Sequence, residues 1–451
     1  MRSFNRMIIA AILAAASCVG ADEPKQDADH AAQLKDAREL NERVLKLYQA
    51  GRFAEATVPA EQALAIYEKA LGPDDPEVGR CLFFLASLND YQRKYAVAGP
   101  LFQRALANLE KAFGPDHPTV VMCLYGLGGI QNHLGKQLEA EKSYERALRI
   151  QEKLAGPIDR QVLDIVSALA ATYASLRKYR EAEPLFRRAL AGQEKMLGPD
   201  DRAVALTLGR MANMDSAQGK YAEAKPLLER GIAIFEKSAG PNDLGLADFL
   251  WDLAWLNVKE GKGAVAEPLA RRALSIREKS LSPDDIDIAG SLNHLALVYT
   301  SEKKYALAEP LYRRAVAIKE KAVGINTNDP WLAFTLMNLA NSCKELGKYA
   351  DAEALDNRAL AILEKAAGPD SVEVAEVLNN MGRLYAGQKK YGQAEPLYRR
   401  AVAIFERAGV AGRPELAAAL TNLAELCEQQ GRHADAVPLR QRAEAIRAKA
   451  P

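Results

Sequence analysis

The chain has 451 residues, and its 60 lysine and arginine side chains nearly balance 59 aspartate and glutamate side chains. A formal charge of +1 argues against general binding to nucleic acid or anionic membranes, because both require a basic excess on one face. Length alone suggests about three globular domains. Glycine and proline nevertheless form no linker and recur at regular intervals, which predicts one continuous repetitive domain instead.

The first 21 residues resemble a secretory signal peptide. Arg2 and Arg6 flank the start of an apolar run at residues 7–20, and Val19 and Ala21 stand at positions −3 and −1 of a cut before Asp22. The run is shorter than the roughly 20 residues that a membrane-spanning helix needs. We therefore expect a signal peptide at 1–21, a short linker at 22–28, and export to the periplasm or the exterior.

Three other interpretations of this segment stay open: an uncleaved membrane anchor, an apolar start that arises by chance, and lipid attachment at Cys18. Residues 15–18, Ala-Ala-Ser-Cys, loosely resemble a bacterial lipobox, although the usual leucine three residues before the cysteine is missing. Removal of Arg2 and Arg6 would leave 58 basic against 59 acidic side chains. The exported chain is therefore not expected to bind nucleic acid.

A Gly-Pro dipeptide then recurs every 42 residues. Its copies are Gly72-Pro73, Gly114-Pro115, Gly156-Pro157, Gly198-Pro199 and Gly240-Pro241. The period continues at Ser282-Pro283 and Gly324, and it resumes at Gly368-Pro369 after a two-residue insertion within 325–330. A fixed period of this length indicates a stack of supersecondary units. We predict a single all-α repeat domain over residues 29–450.

Each repeat contains two helical patterns. In the first, leucines stand three or four residues from a small residue, which predicts a close helix contact at Ala86, Gly128, Ala170, Ala212, Ala254, Ala296, Ala340, Gly382 and Ala424. The second follows a short turn and usually begins at an aromatic residue. The predicted second-helix starts are Phe53, Tyr95, Gln137, Tyr179, Tyr221, Gly263, Tyr305, Tyr349, Tyr391 and His433.

The junction between repeats carries the residues that end one helix and begin the next. Gly72 can adopt the positive φ that follows a helix, and Pro73 prevents continuation. Asp75 can cap the next helix, and Pro76 suits its first position. Each repeat is therefore predicted to be a helix, a short turn, a longer helix and a capped loop.

These features resemble the tetratricopeptide repeat family, in its 42-residue, kinesin-light-chain-like variety. The resemblance is carried by Gly-Lys-Tyr-Ala-Glu-Ala at 219–224, Ala-Glu-Pro-Leu-Tyr-Arg-Arg-Ala at 308–315 and Leu-Asn-His-Leu-Ala at 292–296. It implies an α-solenoid, a right-handed superhelix of about ten helix pairs. It also implies a protein or peptide ligand, held in a concave groove lined by the first helices.

No catalytic, cofactor-binding or metal-binding motif is recognisable, and the five histidines occupy unrelated registers. We therefore expect a non-catalytic protein without a cofactor. An arginine precedes an alanine, or in one repeat Gly231, in every second helix from Arg104 to Arg442, with a glutamate often five residues earlier. This ladder could bind an acidic partner, although salt bridges between repeats are the favoured interpretation. Four cysteines outside the signal segment are expected to be unpaired, because packed helices lie farther apart than a disulfide allows.

The resemblance also indicates where a ligand would bind. In the family, the residue two positions before the small one points into the groove, where asparagines hold extended peptides by their backbone. Here Asn338, Asn380 and Asn422 occupy that position in the last three repeats, and Arg210 occupies it earlier. The nearby positions add Asn293, Asn341, Asn379 and Arg383. Binding of a C-terminal carboxylate, as in the chaperone-binding branch of the family, is not favoured, because most positions where that branch has lysine lack it here.

Two further questions stay open at this stage. The asparagines could simply be solvated, and the aromatic residues Phe83, Phe84, Tyr125, Trp251 and Trp255 could be either groove anchors or core residues. For the whole chain, the favoured function is an exported scaffold that binds a protein or peptide in its groove. The alternative is a structural component of the cell envelope that acts through lateral or end-to-end contacts.

Overall fold

A computed structural model describes residues 28–238, 240–323, 328–409 and 414–448, so the predicted signal segment and Cys18 lie outside the described residues. Within these ranges the chain forms twenty α-helices in ten pairs. The first helices of the pairs are α1 (Ala28–Gln49), α3 (Pro76–Tyr91), α5 (Pro118–His133), α7 (Arg160–Ser175), α9 (Arg202–Ala217), α11 (Leu244–Lys259), α13 (Ile286–Ser301), α15 (Pro330–Glu345), α17 (Val372–Gly387) and α19 (Pro414–Gln429).

The second helices begin at the ten residues predicted from the turn motif. They are α2 (Phe53–Leu71), α4 (Tyr95–Phe113), α6 (Gln137–Ala155), α8 (Tyr179–Leu197), α10 (Tyr221–Ser238), α12 (Gly263–Ser280), α14 (Tyr305–Val323), α16 (Tyr349–Ala367), α18 (Tyr391–Arg407) and α20 (His433–Ala448). The predicted all-α stack of about ten helix pairs is confirmed.

The junction residues end and begin helices as predicted. Gly72 has a φ of +86°, and the Asp75 side chain accepts a hydrogen bond from the backbone nitrogen of Glu77 at 2.8 Å. Such a bond satisfies a backbone donor that has no partner within the helix. His117 and Ser371 cap α5 and α17 in the same way.

Each turn inside a pair contains one residue in the left-handed region. Glycine occupies this position in several repeats, for example Gly135 and Gly347, with φ of +73° and +75°. The other repeats use a long basic side chain at a φ between 57° and 60°, at Arg93, Arg177, Lys303 and Lys389. A residue with a Cβ is strained there, at a cost of about 1–2 kcal/mol.

The small-residue positions of the first helices are buried, and the predicted close contact is confirmed. A Cβ built on Gly128 would lie 2.9 Å from the ring of Tyr144, and one built on Gly382 would lie 2.6 Å from the ring of Tyr398. Both rings come from the second helix of the same pair. In both pairs, the tyrosine ring of the second helix therefore occupies the space that a side chain on the first-helix glycine would need.

The chain divides into two compact units, Met1–Ile234 and Phe235–Pro451. A core cluster of the first unit runs from Leu34 to Leu169, and one of the second runs from Ala254 to Ala443. Cys81, Cys123, Cys343 and Cys427 are buried free thiols, as predicted. Among the described helices, none combines the length and apolarity needed to cross a lipid bilayer.

Candidate functional site

In the second unit, the first helices α11, α13, α15, α17 and α19 contact one another in order. Equivalent positions on these helices consequently follow one another along the stack. Two residues before the small position stand His294, Asn338, Asn380 and Asn422, and all four are partly exposed. We call Asn338, Asn380 and Asn422 the asparagine row.

Two members of the asparagine row have side chains that are available to bind a ligand. The side-chain amides of Asn338 and Asn380 have no hydrogen-bonding partner among the described residues. In contrast, Asn422 donates through Nδ2 to Oδ1 of Asn379 at 2.9 Å, across α19 and α17. An amide presents both donors and an acceptor, so these two residues could each pair with a peptide unit.

Next to the row lies a polar cavity of about 10 Å³, roughly the space that one water molecule occupies. We call it the α15–α17 cavity. It is lined by Ala340, Asn341 and Lys344 of α15, Asp356 of α16, and Asn380 and Arg383 of α17. The structure therefore brings together Asn341, Asn380 and Arg383 of the predicted site.

Asp356 is the least expected residue of this cavity. Its side chain is 3% exposed, and its Oδ1 has no hydrogen-bonding partner among the described residues. Burial raises the pKa of the carboxyl group to about 7, and the nearby charge of Lys344 opposes that rise. A buried carboxyl oxygen without a hydrogen-bonding partner lowers the stability of the fold. A ligand group that entered the cavity and donated a hydrogen bond to it would remove this cost.

The remaining predicted residues lie elsewhere. Asn293 is only 8% exposed and is largely a core residue, with a buried Oδ1 that lacks a partner. Arg210 belongs to the first unit, where its Nη1 donates to Oγ of Ser167 at 2.7 Å. Ser167 lies 3.0 Å from Oγ1 of Thr207, so Arg210 is held in a network between α7 and α9.

The aromatic residues divide between two roles. Phe83, Phe84 and Tyr125 are buried and belong to the core of the first unit, so they are not exposed groove anchors. Trp251 is partly exposed and stacks on His294 with ring centroids 3.5 Å apart. Burial lowers the pKa of His294 to about 3, and the charge of Arg277 adds to this effect. This imidazole is neutral near pH 7.

The model of a sequence family, described as tetratricopeptide repeat, matches the chain in seven segments. They are residues 47–111, 91–153, 161–237, 203–279, 246–321, 331–407 and 387–449, which together cover most of the chain. The chain belongs to the tetratricopeptide repeat family. The family predicted from the repeat period and the turn motifs is thereby confirmed. No curated protein matches the sequence significantly.

Two solved structures share the fold with a TM-score above 0.5, and a third is less similar. NprR from B. thuringiensis is 16% identical, with a TM-score of 0.54, and the match covers 84% of this chain and 99% of NprR. A Rap protein solved with competence and sporulation factor is 15% identical, with a TM-score of 0.52 and coverages of 76% and 89%. Repeats of a kinesin light chain-like protein from Podosopora anserina are 21% identical, with a TM-score of 0.42 and coverages of 47% and 97%.

The arginine ladder joins successive tetratricopeptide repeats. Each ladder arginine pairs with a glutamate near the end of the preceding second helix, 36 residues earlier, except at the insertion, where the spacing is 38. The pairs are Arg104–Glu68, Arg146–Glu110, Arg188–Glu152, Arg230–Glu194, Arg272–Glu236, Arg314–Glu278, Arg358–Glu320, Arg400–Glu364 and Arg442–Glu406. Salt bridging between repeats is thus observed.

The predicted partners of this ladder were nevertheless wrong. The glutamates that stand five residues before six of the nine arginines form other bonds, because that spacing places the two side chains on different sides of one helix. Glu141, Glu267, Glu309 and Glu395 each bind a basic residue in the turn of the next tetratricopeptide repeat, at Lys178, Lys304, Lys348 and Arg432. The structure therefore shows a second series of ionic connections between repeats beside the one that was expected.

Sequence reasoning missed Asp356 and Lys344, although a signal was present. Residue 356 stands in the register of Phe102, Tyr144, Phe186, Tyr312 and Tyr398, which are buried rings in five other tetratricopeptide repeats. The remaining four repeats have Ala60, Leu228, Ala270 and Arg440 there. Asp356 is the only acidic residue at this register, which makes it a conspicuous departure. Comparison of the repeats at their buried positions, in addition to their surface positions, would have found it.

Proposed function

We propose that this tetratricopeptide repeat protein is a non-catalytic scaffold that binds a protein or peptide along the asparagine row. Proteins of this family bind protein or peptide partners, and stacked repeats create extended binding surfaces. The observation that carries the proposal is the pair of partly exposed, unbonded amides of Asn338 and Asn380 on successive first helices.

The spacing of the row suits an extended peptide. Neighbouring packed helices lie about 8–10 Å apart, and an extended chain advances about 3.3 Å per residue. Successive asparagines would therefore meet the ligand backbone about every third residue. Each amide could donate to a carbonyl oxygen and accept from a backbone N–H of the same peptide.

The test is capture of partners by the mature chain from an extract of the native host. A variant in which Asn338, Asn380 and Asn422 are changed to alanine should lose partners that the wild type retains. A matched variant changes Asn242, Asn328 and Asn357, three exposed asparagines elsewhere in the second unit, and should behave as the wild type. Equal recovery of every partner by the row variant and by the wild type would show that the asparagine row is not the binding site.

We further propose that the protein acts outside the cytoplasm, after removal of residues 1–21. The support is the sequence pattern alone, in which Arg2 and Arg6 flank the start of a short apolar run before small residues. Mass spectrometry of the mature N-terminus from the native host tests this directly. A chain beginning at Asp22 supports export, a lipid-modified Cys18 supports anchoring, and an intact Met1 contradicts both.

A further inference from the structure

Asp356 replaces a ring in the interior of a helix pair. In five other repeats this register holds a ring that is at most 2% exposed, and in the other four it holds alanine, leucine or arginine; the rings are Phe102, Tyr144, Phe186, Tyr312 and Tyr398. An aspartate is much smaller than a tyrosine, and the neighbouring helices close over the side chain until it is 3% exposed. What remains is the α15–α17 cavity, with the unpartnered Oδ1 of Asp356 in its lining.

The cavity adjoins the asparagine row. Asn380 belongs to both, because it is a member of the row and also lines the cavity. Asn341, one turn after Asn338 on α15, lines it as well and has no hydrogen-bonding partner among the described residues. A peptide held by the backbone at Asn338 and Asn380 would therefore carry a side chain past the opening of the cavity.

The charged groups around the cavity restrict what can enter. On α15, Lys344 lies beside Asp356 and forms an ion pair with Glu345, with Nζ and Oε1 2.8 Å apart. On α17, Arg383 is exposed and forms no ion pair among the described residues. The hydroxyl group of Tyr385, on the same helix, donates a hydrogen bond to Oε1 of Glu353 on α16 at 2.8 Å. Within the described ranges, Asp356 and Arg383 thus form no hydrogen bond or ion pair.

Size and charge together exclude most side chains. A cavity of about 10 Å³ admits one polar atom with its hydrogens, such as a hydroxyl oxygen or the amide nitrogen of an asparagine whose carbonyl stays at the rim. An ammonium or guanidinium group would approach two cations, Lys344 and Arg383, and a carboxylate would approach the carboxylate of Asp356. A neutral group that donates one hydrogen bond and accepts another matches both kinds of lining atom.

We propose that the α15–α17 cavity receives a short neutral hydrogen-bond donor, from serine, threonine or asparagine, on the peptide that binds the asparagine row. The hydroxyl or amide group donates to Oδ1 of Asp356, and its oxygen accepts from Lys344 or Arg383. This inference rests on the proposed function, because the row must hold the peptide backbone. It adds a preference for one residue type at one position of the ligand.

The test uses a displayed library of random twelve-residue peptides, selected on the full chain. Peptides selected by the wild type should share one position that is rich in serine, threonine or asparagine. At pH 8, where Asp356 with a pKa of about 7 is mostly ionised, replacing that residue with alanine in one selected peptide should weaken binding about tenfold, the effect of one hydrogen bond to a charged group. In Asp356→Leu the two peptides should bind equally, because leucine offers no acceptor.

Two variants serve as controls. Asp356→Asn keeps an acceptor oxygen and should retain a preference of several-fold for the donor residue, with a fold as intact as that of the wild type. Asp351→Leu removes an exposed carboxylate from the same helix and should retain the full tenfold preference.

The outcomes separate the two proposals. Selected peptides that bind the wild type and the asparagine-row variant equally, or a library that yields no binder, would overturn the proposed site and this inference together. Peptides that need the row but bind Asp356→Leu with the same residue preference would overturn the cavity alone. A shared charged or apolar residue at the selected position would also overturn it.

Discussion

The ring of Tyr398 in α18 packs directly on Gly382 of α17. A Cβ built on the glycine would lie 2.6 Å from Cε1 of the ring, a distance that real Cβ atoms do not show. Because the ring is buried, it has little room to withdraw. The absence of a side chain at residue 382 is therefore a packing requirement of this helix pair.

Gly382→Ala should lower the free energy of unfolding by about 1–3 kcal/mol, the usual cost of over-packing a core. Denaturant titration followed by circular dichroism measures the change. Gly387→Ala, on the same helix but with no atom within 4 Å of its built Cβ, is the control and should not be destabilising. If both variants unfolded like the wild type, the close contact would not limit stability. Ala212→Trp should be destabilising for the same reason as Gly382→Ala.

Lys303→Gly should raise the free energy of unfolding by up to about 1 kcal/mol. Lys303 is exposed and has a φ of +60°, which strains a residue with a Cβ, whereas glycine adopts this conformation freely. The reciprocal change, Gly347→Lys at the equivalent turn, should lower stability by a similar amount. Thermal melts of both variants against the wild type test the pair, and a stabilising Gly347→Lys would contradict the explanation.

Stability should fall between pH 5 and pH 8 through the titration of Asp356. Its folded-state pKa is raised to about 7, so the folded chain holds a proton that the unfolded chain releases near pH 4. The contribution is complete below the unfolded pKa and is lost as pH rises through the folded pKa.

Comparison with Asp356→Leu isolates this contribution from those of other groups. Between pH 5 and pH 8 the wild type should lose about 1–3 kcal/mol more unfolding free energy than the variant. Denaturant titrations at both pH values supply the numbers. Asp351→Leu should follow the wild type, and parallel pH profiles for the wild type and Asp356→Leu would show that the carboxyl group does not titrate in this range.

The ion pair between Arg188 and Glu152 should contribute little to stability. Nη2 and Oε1 are 2.6 Å apart, but both side chains are 35% exposed, so solvent screens the attraction. A double-mutant cycle with Arg188→Ala and Glu152→Ala should give a coupling energy of at most about 1 kcal/mol. It should shrink further in 1 M salt. A coupling well above this value would indicate that the ladder holds the repeats together.

The four cysteines of the described chain should react only after unfolding. Burial raises the pKa of the Cys81 thiol to about 12 and also raises that of Cys343, so little reactive thiolate exists at pH 8. Titration with a thiol reagent of a chain that begins at Asp22 should be slow in the native protein and should yield four thiols in denaturant; the full sequence, which includes Cys18, would yield five. A mass lower by two hydrogens, or a melting temperature that falls with reductant, would reveal a disulfide.

Much of the fold could be predicted because the repeat signals are local. The residues that cap, turn and end each helix act within a few positions of one another. The helix end at Gly72 and the helix start at Asp75 and Pro76 could therefore be predicted from the local sequence. The partner of Arg188 could not be read in this way. It lies in the preceding repeat, and its choice depends on how two helices pack in three dimensions.

The candidate site was predicted only in outline. The residue type and register identified Asn338 and Asn380, because their position on the helix surface follows from the period. Burial of Asn293 and of Phe84 could not be predicted, since it depends on how closely neighbouring helices approach. Asp356 was missed because a carboxylate is normally a surface residue, and only the helices around it make it an interior one.

The insertion between α14 and α15 leaves the connections across it unchanged. Arg358 still binds Glu320, and Lys348 still binds Glu309, although the chain between the partners is two residues longer than elsewhere. The spatial relationship of adjacent repeats is therefore independent of the length of the connecting segment. For protein engineering, this junction offers a place where an epitope or a fluorophore could be introduced without disturbing either neighbouring helix pair.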